Sequence, residues 1–288
     1  MEKFESEPSK TPTVEIMVGG LKSEYLPGNP KEYAEKIIFI PGSGLTSKSG
    51  VPVIESFAQG GFDSISLNLK GRLGELPASV MASRTLADFS QDLGDARDTL
   101  KEEGLDYNQQ VLVGHSLGAT IAMEQARKKP PKALILLAPS LPKGFPMPEL
   151  TKEEEGKRRD LAAKGEVIES DRSDLLRYFG ERLPKDFDES FEEKYKPLLG
   201  QESYLAKLEL YTNQLEISPS DIKCPILIVG GVEDPRVKPE TLRQLAKFLG
   251  ADYLETEASH MIMIDSSWED FSKQIVGWLK EHCKDENE

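Results

Sequence analysis

Val111-Leu112-Val113-Gly114-His115-Ser116-Leu117-Gly118-Ala119-Thr120 reads as a buried strand that turns sharply into a helix, with Gly-x-Ser-x-Gly at the turn. In that setting a serine hydroxyl stands clear of the sheet at the N-terminus of the following helix. Gly114 and Gly118 let neighbouring backbone pass close, and Ala119 extends that allowance. Backbone N–H groups at a helix N-terminus point toward developing negative charge, which suits attack on a carbonyl. The pentapeptide by itself also fits an ordinary turn with a capping serine. The rest of the chain must therefore supply a base, an acid and a second oxyanion donor.

A serine hydroxyl is a poor nucleophile near neutral pH and needs an adjacent base, most often histidine. The chain has three histidines, His115, His260 and His282. His115 neighbours Ser116 and should point away from the hydroxyl. His282 falls in a polar tail. His260 remains, in the turn Ala258-Ser259-His260-Met261 after the expected last strand. A base of this kind needs a carboxylate to fix its tautomer. Gly230-Gly231-Val232-Glu233-Asp234-Pro235 follows an apolar strand and offers two. Asp234 is preferred because the following proline biases it to extended geometry; Glu233 is the alternative. No acid directly follows the earlier strand, at Ala138-Pro139-Ser140. For the oxyanion, the Leu117 N–H is one donor. The second is expected from Pro41-Gly42-Ser43-Gly44, at the Ser43 N–H, with Gly44 as the alternative register.

Outside these motifs the pattern alternates strand and helix. Residues 13–18 and 21–26 flank Gly19-Gly20 and suggest a hairpin. Strands are expected over 36–40, 63–69, 111–115, 132–138, 225–230 and 252–255. Helices are expected over 51–59, 86–100, 116–128, 240–249 and 268–280, the second opened by a capping box at Thr85-Leu86-Ala87-Asp88. A Gly- and Pro-bearing loop fills 70–79. Residues 144–220 show no strand-like run and are charge-dense. Yet Tyr178, Phe179, Phe187, Phe191, Tyr195, Tyr204 and Tyr211 crowd into this segment. A disordered linker is poor in aromatics, so the segment reads as a folded helical cap. The expected organisation is a core at 1–143, a cap at 144–220 and a second core part at 221–288. Alternation of this kind builds a mostly parallel sheet covered on both faces, with ligands beyond the carboxyl ends of the strands.

Composition sets limits on function. The 288 residues carry 36 basic and 50 acidic side chains, a formal net charge of −14 and a pI of about 4.9. Such a surface repels phosphate backbones and anionic lipid, so no nucleic-acid or membrane partner is expected. No apolar run approaches the ~18 residues of a membrane span, and the acidic N-terminus 1–7 does not read as a signal peptide. Cys224 and Cys283 cannot form a disulfide framework and read as free thiols, which fits a cytoplasmic location.

These residues resemble the α/β-hydrolase-fold superfamily, specifically a serine hydrolase with a helical cap. The order Ser116, Asp234, His260 is the superfamily's nucleophile, acid and base order. The matching segments lie at 37–44, 111–119, 226–235 and 258–265. The resemblance implies a mostly parallel sheet of about eight strands with helices on both faces, and the cap inserted between strands. Two positions depart from the usual pattern. Pro41 stands where many members have histidine, and Gly71-Arg72-Leu73-Gly74-Glu75 lacks the serine often found there. Relatives that cleave carbon–halogen bonds or epoxides use an aspartate nucleophile, so Ser116 argues against those chemistries. The implied activity is hydrolysis of a carboxylic ester of a small or medium acyl group, without metal or organic cofactor. Thioesterase, lactonase, C–C hydrolase and acyltransferase activities share the same triad. A non-catalytic small-ligand receptor of this fold is the alternative of another class.

Overall fold

The computed structural model describes residues 12–146, 150–212 and 214–283. The N-terminal stretch 1–7 lies outside the described residues, and so do residues 284–288. Among the described residues ten strands run in chain order: β1 (Val14–Val18), β2 (Leu21–Leu26), β3 (Lys36–Ile40), β4 (Asp63–Leu67), β5 (Gln110–His115), β6 (Ala133–Leu137), β7 (Ile168–Glu169), β8 (Gln201–Glu202), β9 (Ile226–Gly231) and β10 (Asp252–Thr256). Nine α-helices accompany them among the described residues: α1 (Val51–Gln59), α2 (Ala78–Ala82), α3 (Leu86–Glu102), α4 (Leu117–Lys128), α5 (Lys152–Ala163), α6 (Arg172–Phe179), α7 (Tyr204–Thr212), α8 (Pro239–Leu249) and α9 (Trp268–Cys283).

Eight strands form one sheet in the order β1-β2-β4-β3-β5-β6-β9-β10. The hairpin β1–β2 and the β2–β4 pair are antiparallel, and every other pair is parallel. The period-two alternation of side chains splits the central strands between two cores. Ile37, Phe39, Val111, Val113, Ile135 and Val229 face α1 and α9, against Val53, Phe57, Phe271 and Ile275. Ile38, Ile40, Leu112, Leu134, Leu136 and Ile228 face α3, α4 and α8, against Phe89, Leu93, Ile121 and Leu245. The centre of the sheet is therefore buried on both sides, and its strands β3, β5, β6 and β9 all deliver their C-terminal ends to one edge.

The helix α3 opens with the capping box read from the sequence. Thr85 Oγ1 accepts from the Asp88 amide at 3.2 Å, and the Thr85 amide donates to Asp88 Oδ2 at 2.8 Å. Four readings are corrected. The strand expected over 63–69 stops at Leu67. The loop expected over 70–79 is entered at Ala78 by the short helix α2. Residues 144–220, read as free of strand, hold the two-residue antiparallel pair β7–β8. The final helix runs on to Cys283, so His282 and Cys283 are helical rather than in a tail; Cys283 is buried in the α1/α9 core. Its apolar spacing holds one more turn than the sequence reading allowed. Both cysteines are free. No helix among the described residues is long and apolar enough to cross a membrane.

Candidate active site

The turn from β5 into α4 has the geometry that its glycines imply. Ser116 holds φ 50° and ψ −116°, so the helix starts at Leu117 rather than at Ser116. The turn is pinned by backbone. The Ser116 amide donates to the Leu137 carbonyl at 3.0 Å, and the Ser116 carbonyl accepts from the Ser140 amide at 3.1 Å. A Cβ on Gly118 would lie 2.2 Å from the Ile40 carbonyl oxygen, and one on Gly114 would lie 2.6 Å from Ala119 Cα. Glycine is obligatory at both places because backbone, which cannot swing aside, occupies the space.

The loops after β9 and β10 bring Asp234 and His260 to this turn. Asp234 can only accept, so His260 Nδ1–H donates to Asp234 Oδ2, at 2.9 Å. That tautomer leaves Nε2 as acceptor for the Ser116 hydroxyl, at 3.0 Å. Asp234 is 2% exposed and His260 4%. Burial opposes ionisation of Asp234, but His260 and the amides of Arg236 and Val237 together hold its carboxyl below the usual carboxylate range. Those amides donate to Oδ1 at 2.6 and 3.0 Å. Glu233, the alternative acid, is exposed and makes no hydrogen bond to His260.

His115 makes no hydrogen bond to the Ser116 hydroxyl, and it acts as a brace. Its Nε2–H donates to the His260 carbonyl oxygen at 2.9 Å, and its ring lies 5.2 Å from the His260 ring. Burial and the neighbouring His260 push its pKa down to about 3, so it stays neutral. His282 is remote from these groups and bonds the Trp278 carbonyl.

The loop 41–44 lies against the same turn. A Cβ on Gly42 would sit 3.3 Å from Ser116 Cβ. The Gly44 amide is already engaged, donating to Glu202 Oε2 at 3.2 Å. The Ser43 and Leu117 amides have no acceptor among the described residues. Of the two registers, Ser43 is thus the one with a free donor. Arg72 and Glu202 hold this loop from both sides. Arg72 Nη1 donates to the Gly42 carbonyl at 3.2 Å, and Arg72 Nη2 lies 2.9 Å from Glu202 Oε2; neither side chain is exposed at all. This pair was invisible in the sequence, since the partners come from a Gly-rich loop and from the two-residue strand β8.

The segment between β6 and β9 touches the site at further points. The Tyr178 carbonyl accepts from the His260 amide at 3.2 Å, and the Tyr178 ring lies 5.5 Å from the His260 ring. Arg182 makes two hydrogen bonds of 2.8 Å to Asp265. Asp265 in turn accepts from the Ser259 amide, next to His260, at 3.0 Å. The aromatic density of the segment was the one signal that pointed to Tyr178.

A family model described as the alpha/beta hydrolase family matches residues 37–274. No curated protein matches the chain in sequence. Solved structures are similar in fold. The monoacylglycerol lipase of Paleococcus ferrophilus shares 20% identity at a TM-score of 0.67, covering 91% of this chain and 99% of its own. The enol-lactonase of Burkholderia xenovorans shares 20% identity at a TM-score of 0.65, with 93% and 100% covered. A thermostable carboxyl esterase of Bacillus coagulans shares 17% identity at a TM-score of 0.68, with 94% and 98% covered.

Proposed function

This chain belongs to the alpha/beta hydrolase family, and from that premise we propose that it is a serine hydrolase cleaving carboxylic esters of small or medium acyl groups. The observation that carries the reading is the unbroken line Asp234–His260–Ser116, with links of 2.9 and 3.0 Å. In this reading Ser116 Oγ attacks the ester carbonyl while its proton passes to His260 Nε2. Asp234 stays ionised and stabilises the imidazolium. The oxyanion is received by the Leu117 and Ser43 amides. His260 then gives its proton to the departing alkoxide, leaving an acyl group on Ser116. Water, deprotonated by His260, releases the acid and restores the serine.

Residues 144–220 act as the cap over this chemistry, with Tyr178 set against His260. The similar structures are named as a lipase of monoacylglycerol, an enol-lactonase and a carboxyl esterase, all names of ester-cleaving enzymes. The test is labelling with a fluorophosphonate and assay of a panel of p-nitrophenyl esters and thioesters. Ser116→Ala and His260→Ala should each lower turnover by about 10⁴-fold or more. Asp234→Asn should also be severe, and Glu233→Gln near neutral. A wild type that neither labels nor exceeds the Ser116→Ala background would identify a binding protein rather than a hydrolase.

A further inference from the structure

The arginines of this acidic chain are almost all matched with acids. Among the described residues every arginine except Arg97, Arg158 and Arg236 lies within 4.0 Å of a carboxylate oxygen. Arg97 is a core residue bonded to the Gln110 side chain and the Gln125 carbonyl. The other two converge on one phenol. Arg236 Nη2 donates to Tyr211 OH at 3.1 Å, and the Arg158 guanidinium carbon lies 5.3 Å from the centre of the Tyr211 ring. Arg158 Nη1 is shut off from solvent and has no acceptor. Lys207 sits four residues before Tyr211 on α7 and so shares its face. It is half-buried and has no ion-pair partner among the described residues.

This group lies at the candidate active site. The Arg236 amide donates to Asp234 Oδ1 at 2.6 Å. The strand β8, just before α7, supplies Glu202 to the Gly44 amide. Just beyond α7, Gln214 donates to the Leu141 carbonyl, and Ser140 bonds the Ser116 carbonyl. The segment 202–214 is thus tied to the Gly44 loop, to the loop bearing Asp234 and to the stretch after β6 that bonds the Ser116 turn. Burial weakens the hold of Lys207 on its proton, while Asp174 and Glu202 strengthen it. Both of those acids are already committed, to Arg177 and to Arg72.

A partly desolvated cation without a counter-charge is costly. In a chain with 14 more acidic than basic side chains, carboxylates are abundant, yet none among the described residues lies within 4.0 Å of these three cations; Asp174 and Glu202 act on Lys207, and Glu154 on Arg158, only from farther away. Guanidinium groups suit the planar, bidentate binding of carboxylate and phosphate. We propose that Arg158, Lys207 and Arg236, gathered round Tyr211, bind an anionic group of the substrate, so that the preferred esters carry a carboxylate or phosphate away from the bond that is cut. This deepens the serine hydrolase reading and rests on it.

The experiment compares the p-nitrophenyl half-ester of glutaric acid with neutral p-nitrophenyl butyrate. The glycerol-3-phosphate ester of butyric acid and its uncharged glycerol ester form a second pair. In at least one pair the charged ester should be favoured by about tenfold or more in kcat/KM, and the pair that responds identifies the anion. That charged-to-neutral ratio should fall about tenfold in Arg158→Gln, Lys207→Gln and Arg236→Gln, through KM, as expected for loss of one charged hydrogen bond. Arg236 is exposed, so its variant keeps the test open if a half-buried change prevents folding. Preference for the neutral member of both pairs, or a ratio untouched by all three substitutions, overturns the proposal. Calorimetric titration of Ser116→Ala with monoethyl glutarate and with glycerol 3-phosphate separates this from the hydrolase reading. Binding that weakens in Lys207→Gln, in a protein whose wild type cleaves no ester, sinks hydrolysis and keeps the anion site; no binding of either anion beside active ester cleavage does the reverse.

Discussion

Ser116 keeps a backbone conformation that non-glycine residues avoid, at a cost on the order of 1–3 kcal/mol. The compensation lies in the packing of its neighbours, which makes Gly118 the most restrictive position of the turn. Gly118→Ala would drive a methyl group to 2.2 Å from the Ile40 carbonyl oxygen. The expected outcome is a loss of at least about 1–3 kcal/mol in urea unfolding. Gly156→Ala, where an added methyl meets nothing, is the control and should be neutral or stabilising in its helix. An unshifted urea midpoint for Gly118→Ala would mean that the turn relaxes freely. At this scale the sequence was informative because chemistry is sparse. With three histidines and one Gly-x-Ser-x-Gly, elimination singles out His260, which lies within hydrogen-bond distance of Ser116. The brace from His115 was illegible because it ends on a backbone carbonyl 145 residues away, and no spacing encodes such a bond.

Two contacts between elements give predictions of a different kind. Arg72 and Glu202 are a fully buried ion pair holding the Gly42 carbonyl and the Gly44 amide. Glu202→Gln would leave the guanidinium buried without its counter-charge, costing about 3–5 kcal/mol. A double variant with Arg72→Met and Glu202→Gln should cost less than the two single changes combined, and kcat should fall more than KM rises as the Ser43 amide loses its fixed position. Additive losses in urea unfolding would refute the coupling. The second contact ties Arg182 to Asp265. Burial resists ionisation of Asp265, but Arg182 and the amides of Ser259 and Ser267 push its pKa down to about 2. An unfolded aspartate titrates near 3.9. The pair therefore stabilises the fold fully above about pH 4, and the contribution drains away as pH falls toward about 2. Urea midpoints across that range should drop more steeply in the wild type than in Asp265→Asn; parallel curves would contradict the assignment. Neither pair could be read from the chain. Continuous apolar runs announced β3, β5, β6 and β9, whereas the two-residue strand that carries Glu202 is too short to show any pattern.

Across the whole molecule, the sheet and its two cores were legible because strands buried on both faces are nearly continuous apolar runs. The path of residues 144–220 was not, because amphipathic helices declare which face is apolar without declaring what covers it. The arrangement has a consequence during synthesis. Ser116 and the histidine that accepts from it are 144 residues apart. At roughly 5–20 residues per second, the ribosome takes on the order of ten to thirty seconds to make the chain between them. On the proposed reading the serine is an ordinary alcohol throughout that interval, because its base has not yet been translated. On that reading the hydrolytic site is kept silent by sequence order alone, and it is completed only when the loops after β9 and β10 have docked at the sheet edge.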